Sequence, residues 1–198
     1  ELKDTTINIS TGTVKLTTGK MSSRTGEVVE VSWLFDQVAE AIKTRGGDAS
    51  DIFVSAVLRY QFLKVRVGSD VVFDISEAVS LEGNNGPYLQ YAHARAKSIL
   101  AKTDVAHQPL SDIEPGERQL VSKLTEYPSV VAKATEDLSP HIICTYLYEL
   151  AQEFNRFYEN NRVIGEPREP QRLFLITKYC DVLKNGLGLL GIDAPEKM

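Results

Sequence analysis

The sequence predicts a mixed fold, in which the end of an α/β domain is followed by an all-α helical bundle. Short alternating runs and helical patterns are mixed only up to about Gly83, and from Asn84 onward helix starts repeat without strand patterns. A chain of 198 residues is long enough for one large or two small domains. We therefore predict two domains, 1–83 and 84–198, which meet in the segment "GNNG".

The first part combines short strands with helices. Alternation predicts strands at "TTINI" (5–9), "TVKL" (13–16), "EVVEV" (27–31) and "DVVFD" (70–74). Two helices are predicted between them, one over 33–45 capped by Ser32 and ended by Gly46–Gly47, and one over 51–65 beginning near Ser50. Asp74 and Glu77 have the spacing of a capping box and predict a further short helix.

The second part contains five predicted helices, each beginning at or near a proline. A proline costs little at a first helical position, because the missing N–H would have no partner there. The predicted helices are 87–102, 115–126, 128–138, 140–160 and 169–190, and the prolines are Pro87, Pro115, Pro128, Pro140 and Pro170. The last two helices carry apolar stripes at helical spacing, Ile143, Tyr146, Leu147, Leu150, Phe154 and Phe157 on one, and Leu173, Ile176, Cys180, Leu183, Leu187 and Leu190 on the other. These stripes predict a bundle core.

The charge, the apolar runs, the cysteines and the histidines limit the kinds of function and site that we expect. The net charge of −5 argues against indiscriminate nucleic-acid binding, although it leaves room for a local RNA-reading surface. No apolar run approaches the roughly 20 residues of a membrane span. Cys144 and Cys180 lie in helical patterns, which favours buried thiols over a disulfide. The three histidines have no ligand spacing with one another or with cysteine, so we expect no metal site. A start at Glu1 suggests a longer parent protein.

The loop "GKMSSRTGE" (19–27) is the first candidate site. Its glycines expose backbone N–H groups, and Lys20 and Arg24 add two cations, a combination that suits a phosphate or pyrophosphate. It lacks the spacing of a P-loop. Composition alone therefore favours a solvated hairpin turn over a phosphate site, and Met21 either anchors the loop on an apolar surface or is incidental.

The helix in "EGNNGPYLQYAHARAKSIL" (82–100) is the second candidate site. Leu89, Ala92, Ala96, Ile99 and Leu100 form its predicted core stripe. Tyr88, Tyr91 and Arg95 share the adjacent face at spacings of three and four. Phenol rings beside a guanidinium can stack unpaired bases and pair a phosphate. The pattern alone favours the explanation that Tyr88 and Tyr91 are half-buried residues of the bundle. Tyr158 lies either at the rim of the core or on the same surface as a third aromatic residue.

Three segments in one order resemble the arginyl-tRNA synthetases. "GKMSSRTGEVV" looks like this family's form of the KMSKS signature of class I aminoacyl-tRNA synthetases. "VVFDISEAVSLEGNNGPYLQYAHARAKSIL" resembles the join between catalytic and anticodon-binding domains, and "RLFLITKYCDVLKNGLGLLGIDAPEKM" the closing helix and tail. The resemblance spans nearly the whole chain and is weakest at "VAHQPLSDIE". It implies the end of a Rossmann-like catalytic domain followed by a helical, DALR-type anticodon-binding domain.

The resemblance assigns catalytic roles to the loop. The parent would join arginine to tRNA(Arg) with ATP and Mg²⁺, releasing AMP and pyrophosphate. Lys20 would neutralise charge on the leaving pyrophosphate, Ser22 and the loop amides would help to hold the phosphates, and Met21 would pin the loop. Arg24 is counted with them as a catalytic residue of the loop. Ser23 replaces the second lysine of KMSKS, and the other ATP signature, HIGH, does not occur in the chain. We therefore expect the fragment alone to be inactive and to bind no cofactor tightly.

The resemblance also assigns an RNA surface. Tyr88, Tyr91, Arg95 and Tyr158 match positions that contact the anticodon loop in this family, and Met198 matches one that approaches it. The expected partner is tRNA(Arg), with ATP and arginine binding only the full-length enzyme. We expect a cytoplasmic monomer without membrane contact. The alternatives are another class I synthetase, such as the cysteinyl type, and a helical protein-interaction module.

Overall fold

The computed structural model describes residues 6–17 and 30–198 as a mostly helical chain with one small sheet. The strands are β1 (Val14–Leu16) and β2 (Val71–Phe73). The helices are α1 (Val31–Thr44), α2 (Asp51–Leu63), α3 (Ile75–Ala78), α4 (Gly86–Leu100), α5 (Arg118–Thr125), α6 (Tyr127–Glu136), α7 (His141–Asn160) and α8 (Glu169–Leu189). No helix in this part of the chain is long and apolar enough to cross a membrane.

β1 and β2 are parallel, with Val14 opposite Val71 and Leu16 opposite Phe73. Parallel neighbours need a crossover connection, and here the connection contains α1 and α2. Leu16 and Phe73 turn towards these helices and are buried with Val38 and Val57. The predicted strands at 13–16 and 70–74 are therefore confirmed.

The other two strand predictions are wrong where the structure describes them. Residues 6–9 of "TTINI" form no strand, and Ile7 is 73% exposed because no described segment pairs with it. Of "EVVEV", residues 27–29 lie outside the described residues, and Val31 begins α1. The helical spacing of Leu34, Val38 and Ile42, all buried, outweighs the alternation before it. Ser32 is consequently inside the helix, and Glu30 occupies the N-cap position.

The five predicted bundle helices are all present as α4 to α8. Pro87, Pro128 and Pro170 lie in first turns, and Pro140 is an N-cap. The helix predicted from residue 115 begins later, at Arg118. Glu117 is fully buried there among arginines, which fixes residues 115–117 as a turn. The predicted apolar stripes of α7 and α8 are buried throughout.

The buried residues form two clusters that meet at α2. One cluster contains Val54, Val57 and residues between Leu16 and Val79, and the other contains Ala56, Tyr60 and the inner faces of α4 to α8. The Tyr60 hydroxyl lies 2.5 Å from Asn84 Oδ1 and 3.0 Å from the carbonyl oxygen of Cys144. A domain boundary between residues 83 and 84 stays a prediction. The thiols of Cys144 and Cys180 are free and buried, as predicted.

Candidate nucleic-acid interface

The start of α4 is fixed by a cap and a close helix crossing. The Asn85 side chain accepts a hydrogen bond of 2.9 Å from the backbone N–H of Tyr88, and Asn85 itself is fully buried. Gly86 touches α2, because a Cβ atom at this position would lie 2.5 Å from the carbonyl oxygen of Ala56. These two contacts set the position of α4, and therefore of its tyrosines, relative to α2.

Tyr88, Arg95 and Tyr158 come together with two residues of α7, Tyr148 and Asn155, and we call these five residues the α4–α7 cluster. The Asn155 side chain bridges it, with Nδ2 donating to the Tyr88 hydroxyl at 3.0 Å and Oδ1 accepting from Arg95 Nη1 at 3.4 Å. The Tyr88 and Tyr148 rings meet edge to face at 5.6 Å. The Arg95 guanidinium lies 5.5 Å from the centre of the Tyr158 ring. Two helices thus build one half-exposed aromatic and cationic surface.

A stack of rings supports this surface from the bundle core. Phe154 lies 6.3 Å from Tyr158 and 4.0 Å from Tyr179, measured between ring centres, and both pairs are nearly parallel. Phe154 and Tyr179 are completely buried, whereas Tyr158 is only partly buried. Tyr158 is therefore the outer ring of a stack whose inner rings belong to the core, which favours a fixed orientation of its exposed face.

The electrostatics of Tyr88 combine opposing effects. Burial raises the pKa of Tyr88, and the nearby Tyr148 and Glu159 raise it further, while Asn155 and Arg95 lower it. The net result is a raised pKa, so the phenol keeps its proton at neutral pH. Tyr88 therefore presents a neutral hydroxyl beside the permanent charge of Arg95.

Tyr91 and Met198 belong to a different place, which we call the Tyr91 cavity. This cavity of about 790 Å³ is lined by no residue of the α4–α7 cluster. Tyr91 is 43% exposed and Met198 is 54% exposed. The lining residues are Ile42, Arg45, Gly46, Gly47, Asp48, Phe53, Val79, Ser80, Leu81, Glu82, Pro87, Tyr91, Lys197 and Met198. The structure thus divides the five RNA-contact residues predicted from the sequence into two groups.

The C-terminal tail reaches the Tyr91 cavity by lying along α4. Gln90 Nε2 donates to the carbonyl oxygen of Asp193 at 2.8 Å, and Lys97 pairs with Glu196 at 3.1 Å. His93 Nδ1 lies 2.8 Å from the carbonyl oxygen of Pro195 and must carry the proton, since a carbonyl only accepts. Tail contacts thereby bring Lys197 and Met198 to the cavity.

A charged cluster that the sequence did not predict ties the segment before α5 to the start of α8. Glu117 is fully buried and accepts from Arg168 Nε at 2.9 Å and from Arg168 Nη2 at 2.7 Å. Arg172 joins the cluster through Glu114 at 3.1 Å, and Arg168 also pairs with Asp112 at 2.9 Å. Burial alone would raise the pKa of Glu117, but hydrogen bonds from Arg168 and from the Glu114 backbone lower it overall. This carboxyl is therefore ionised.

The four residues predicted to act in the phosphate loop, Lys20, Met21, Ser22 and Arg24, lie outside the described residues. Their roles stay predictions. Among the described residues, no group of three His, Cys, Asp or Glu side chains is arranged to hold a metal ion.

Sequence reasoning missed Tyr148 and Asn155, although a signal for both was present. They precede Tyr158 on α7 by ten and three residues, and these spacings place all three on one helical stripe beside the core stripe. The buried charge cluster also had a signal. Glu114 and Glu117 are three residues apart, and Arg168 and Arg172 are four apart, so each pair shares one face of a helix or turn.

Comparison with known proteins gives one family and one group of relatives. The DALR anticodon binding domain family matches residues 89–198. The arginine–tRNA ligase of Sulfurisphaera tokodaii is 34% identical over 100% of this chain and 34% of its own length. That of Flavobacterium psychrophilum is 32% identical over 96% of this chain and 35% of its own length. The chain thus spans about a third of the length of the curated relatives it matches.

Solved structures give the same relationship. The Thermus thermophilus arginyl-tRNA synthetase matches 95% of this chain and 35% of its own, with a TM-score of 0.82 and 33% identity. The arginyl-tRNA synthetase of Plasmodium falciparum shares the fold, with a TM-score of 0.76 over 95% of this chain and 34% of its own, at 24% identity. The chain therefore belongs to the DALR anticodon-binding domain family and is similar, over nearly its whole length, to the C-terminal region of arginyl-tRNA synthetases.

Proposed function

We propose that this chain is the tRNA-binding C-terminal part of an arginine–tRNA ligase and that the α4–α7 cluster contacts the anticodon loop of tRNA(Arg). One observation carries the proposal: Tyr88, Arg95 and Tyr158, which come from two helices within or beside the matched family region, form one aromatic and cationic surface. Stacking on exposed rings and pairing of phosphates by arginine are the usual means of holding single-stranded RNA.

The Tyr91 cavity is the second part of the proposed interface. It is large enough for a nucleobase and has the apolar surfaces of Tyr91 and Met198, and its wall carries two cations, Arg45 and Lys197, and two carboxylates, Asp48 and Glu82. A loop base that leaves the stack would find an aromatic face and charged groups of both signs there. The two regions together would then contact different nucleotides of one loop.

The parent protein would convert ATP, L-arginine and tRNA(Arg) into arginyl-tRNA, AMP and pyrophosphate. Lys20, Met21, Ser22 and Arg24 would act on the phosphate side of that reaction, with Mg²⁺ accompanying ATP. The isolated chain would bind tRNA without activating arginine, because the HIGH signature is absent from its sequence. ATP-dependent pyrophosphate exchange by this chain alone would contradict this assignment.

The unit before residue 84 would be the end of a Rossmann-like catalytic domain. The parallel pairing of β1 with β2 supports this, since two-stranded parallel sheets are normally part of larger sheets covered on both faces. Val72 is 62% exposed on the face away from α1 and α2, as expected if further structure covers it in the parent. The protein would act as a monomer in the cytoplasm.

Fluorescence anisotropy with a labelled anticodon stem-loop of tRNA(Arg) tests the proposal. The expected result is binding that weakens as salt rises, and at least a tenfold preference over a stem-loop of equal length with a different anticodon, an order-of-magnitude expectation for lost loop contacts. Because the chain carries a net charge of −5, general attraction to RNA is a poor alternative explanation for such binding. Equal affinity for both RNAs would contradict anticodon recognition.

A further inference from the structure

Asn155 touches two of the residues proposed to contact RNA and is itself only partly buried. Its side chain lies between α4 and α7, with one end at the Tyr88 hydroxyl and the other at the Arg95 guanidinium. Because both ends of its amide contact these neighbours, its effect on a ligand would pass mainly through them.

The orientation of the Asn155 amide follows from the chemistry of Arg95. A guanidinium has only donors, so the oxygen Oδ1 must face it and the nitrogen Nδ2 must face Tyr88. Nδ2 then donates to the phenol oxygen at 3.0 Å. The Tyr88 hydroxyl uses a lone pair in this bond, and its hydrogen is left to point elsewhere.

The surface of the cluster consequently offers donors. Tyr88 presents its hydroxyl hydrogen, and among residues 6–17 and 30–198 Arg95 makes no side-chain hydrogen bond other than the one to Asn155. We propose that Asn155 is a positioning residue that occupies an acceptor site of the Tyr88 hydroxyl and so directs its hydrogen, together with the remaining donors of Arg95, towards hydrogen-bond acceptors of the RNA loop. Those acceptors are phosphate oxygens or the carbonyl and ring-nitrogen edge of a base.

This inference rests on the proposed function, and it deepens that proposal by naming the chemistry that the cluster reads. Asn155→Asp is the informative substitution. A carboxylate still accepts from Arg95, but it also accepts the Tyr88 hydrogen, which removes that donor from the surface and offsets the arginine charge. Both Tyr88 and Arg95 keep a hydrogen-bond partner, so we expect little loss of folding stability.

The experiment measures the affinity of the 198-residue chain for the anticodon stem-loop by anisotropy, with thermal midpoints measured alongside. Asn160→Asp is the matched control, because Asn160 is exposed on the same helix and its side chain makes, among the residues that the structure describes, one hydrogen bond, to the carbonyl oxygen of Arg156. We expect Asn155→Asp to weaken binding at least about tenfold more than Asn160→Asp, with a midpoint close to that of the unaltered chain. In a Tyr88→Phe background the loss of affinity caused by Asn155→Asp should be smaller, because the hydroxyl hydrogen that the new carboxylate would accept is already absent.

Two RNA modifications identify the acceptor. Methylphosphonates at single loop positions remove phosphate charge, and abasic sites at single positions remove base edges. The modification whose effect disappears in Asn155→Asp marks the group that Tyr88 and Arg95 contact. If neither effect changes and Asn155→Asp binds as tightly as Asn160→Asp, the inference is wrong while RNA binding by the chain stands. If the unaltered chain binds no stem-loop, the proposed function itself fails.

Discussion

The guanidinium carbon of Arg95 lies 5.5 Å from the centre of the Tyr158 ring, although the two residues belong to different helices. Arg95 is on α4 and Tyr158 is near the end of α7, where Phe154 stacks beneath it. A cation over an aromatic face at this distance attracts it by roughly 0.5–1 kcal/mol at a half-exposed site. The contact therefore helps to align two helices whose exposed groups form one surface.

Removal of the Tyr158 ring should weaken RNA binding. Tyr158→Ala is expected to cost about 1–3 kcal/mol of binding free energy if a base stacks on this ring. Tyr158→Phe retains the ring and should bind nearly as well as the unaltered chain. Anisotropy with the anticodon stem-loop measures both. Equal losses in the two variants would show that the hydroxyl, rather than the ring face, makes the contact.

The close approach at Gly86 predicts a loss of stability on addition of a single methyl group. Gly86→Ala would place Cβ 2.5 Å from the Ala56 carbonyl oxygen, and backbone on both sides must shift at a cost of about 1–3 kcal/mol. Gly188→Ala is the matched control, because its Cβ would meet nothing within 4 Å in α8. That change should stabilise the chain by about 0.5–1 kcal/mol. Urea unfolding of both variants gives the comparison, and a neutral Gly86→Ala would contradict the crossing geometry.

Local patterns predicted the helices and both strands of the small sheet, but they also predicted strands that the described residues do not form. The stripes of α7 and α8 were readable because their spacing alone determines which face is buried. Of the run at 27–31, Val31 belongs to α1 rather than to a strand, because an alternating run of five residues can also lead into an amphipathic helix. The division of Tyr88 from Tyr91 was beyond sequence reasoning. It depends on which neighbours, α7 or the C-terminal tail, pack beside each residue.

Glu117 should contribute more to stability than Asp112, the exposed carboxylate that pairs with the same arginine, Arg168. Glu117→Ala would leave Arg168 and Arg172 without their buried carboxylate, and loss of one partner of a buried ion pair costs about 3–5 kcal/mol. Asp112→Ala removes a carboxylate that is 65% exposed from the same arginine and should cost less than about 1 kcal/mol. The free energies of unfolding in urea check this order, and similar costs for both changes would contradict it.

Two buried tyrosines should respond in opposite directions to the loss of the hydroxyl. The Tyr179 hydroxyl is buried and has no hydrogen-bond partner among the described residues, so Tyr179→Phe removes a desolvated polar group and should stabilise the chain by about 1 kcal/mol. The Tyr146 hydroxyl donates to the carbonyl oxygen of Lys123 at 2.9 Å, so Tyr146→Phe should destabilise it by about 1 kcal/mol. Thermal and urea unfolding measure both, and a destabilising Tyr179→Phe would indicate an unseen partner such as a buried water.

His93 should make the stability of the chain depend on pH. Burial has the largest effect and lowers the pKa of His93; the hydrogen bond to Pro195 opposes it, Lys97 and Lys184 lower the pKa further, Glu196 raises it slightly, and the net result is a lowered pKa. The unfolded chain, with an ordinary histidine pKa of about 6.5, then binds the proton more readily than the folded chain. The stabilising contribution is complete above about pH 6.5 and is lost as the pH falls from there towards the lower pKa of the folded state.

The variant His93→Asn isolates this effect, because its Nδ2 can replace Nδ1 as the donor to the Pro195 carbonyl but does not titrate. Urea unfolding should be measured between about pH 7.5 and pH 5. As the pH is lowered through this range, the free energy of unfolding should decrease more steeply in the unaltered chain than in the variant. Carboxylates such as Glu117 have lowered pKa values and lose their stabilising contribution only at more acidic pH, so they add little to the difference in this window. Identical slopes in the two proteins would mean that folding does not lower the pKa of His93 and would contradict the prediction.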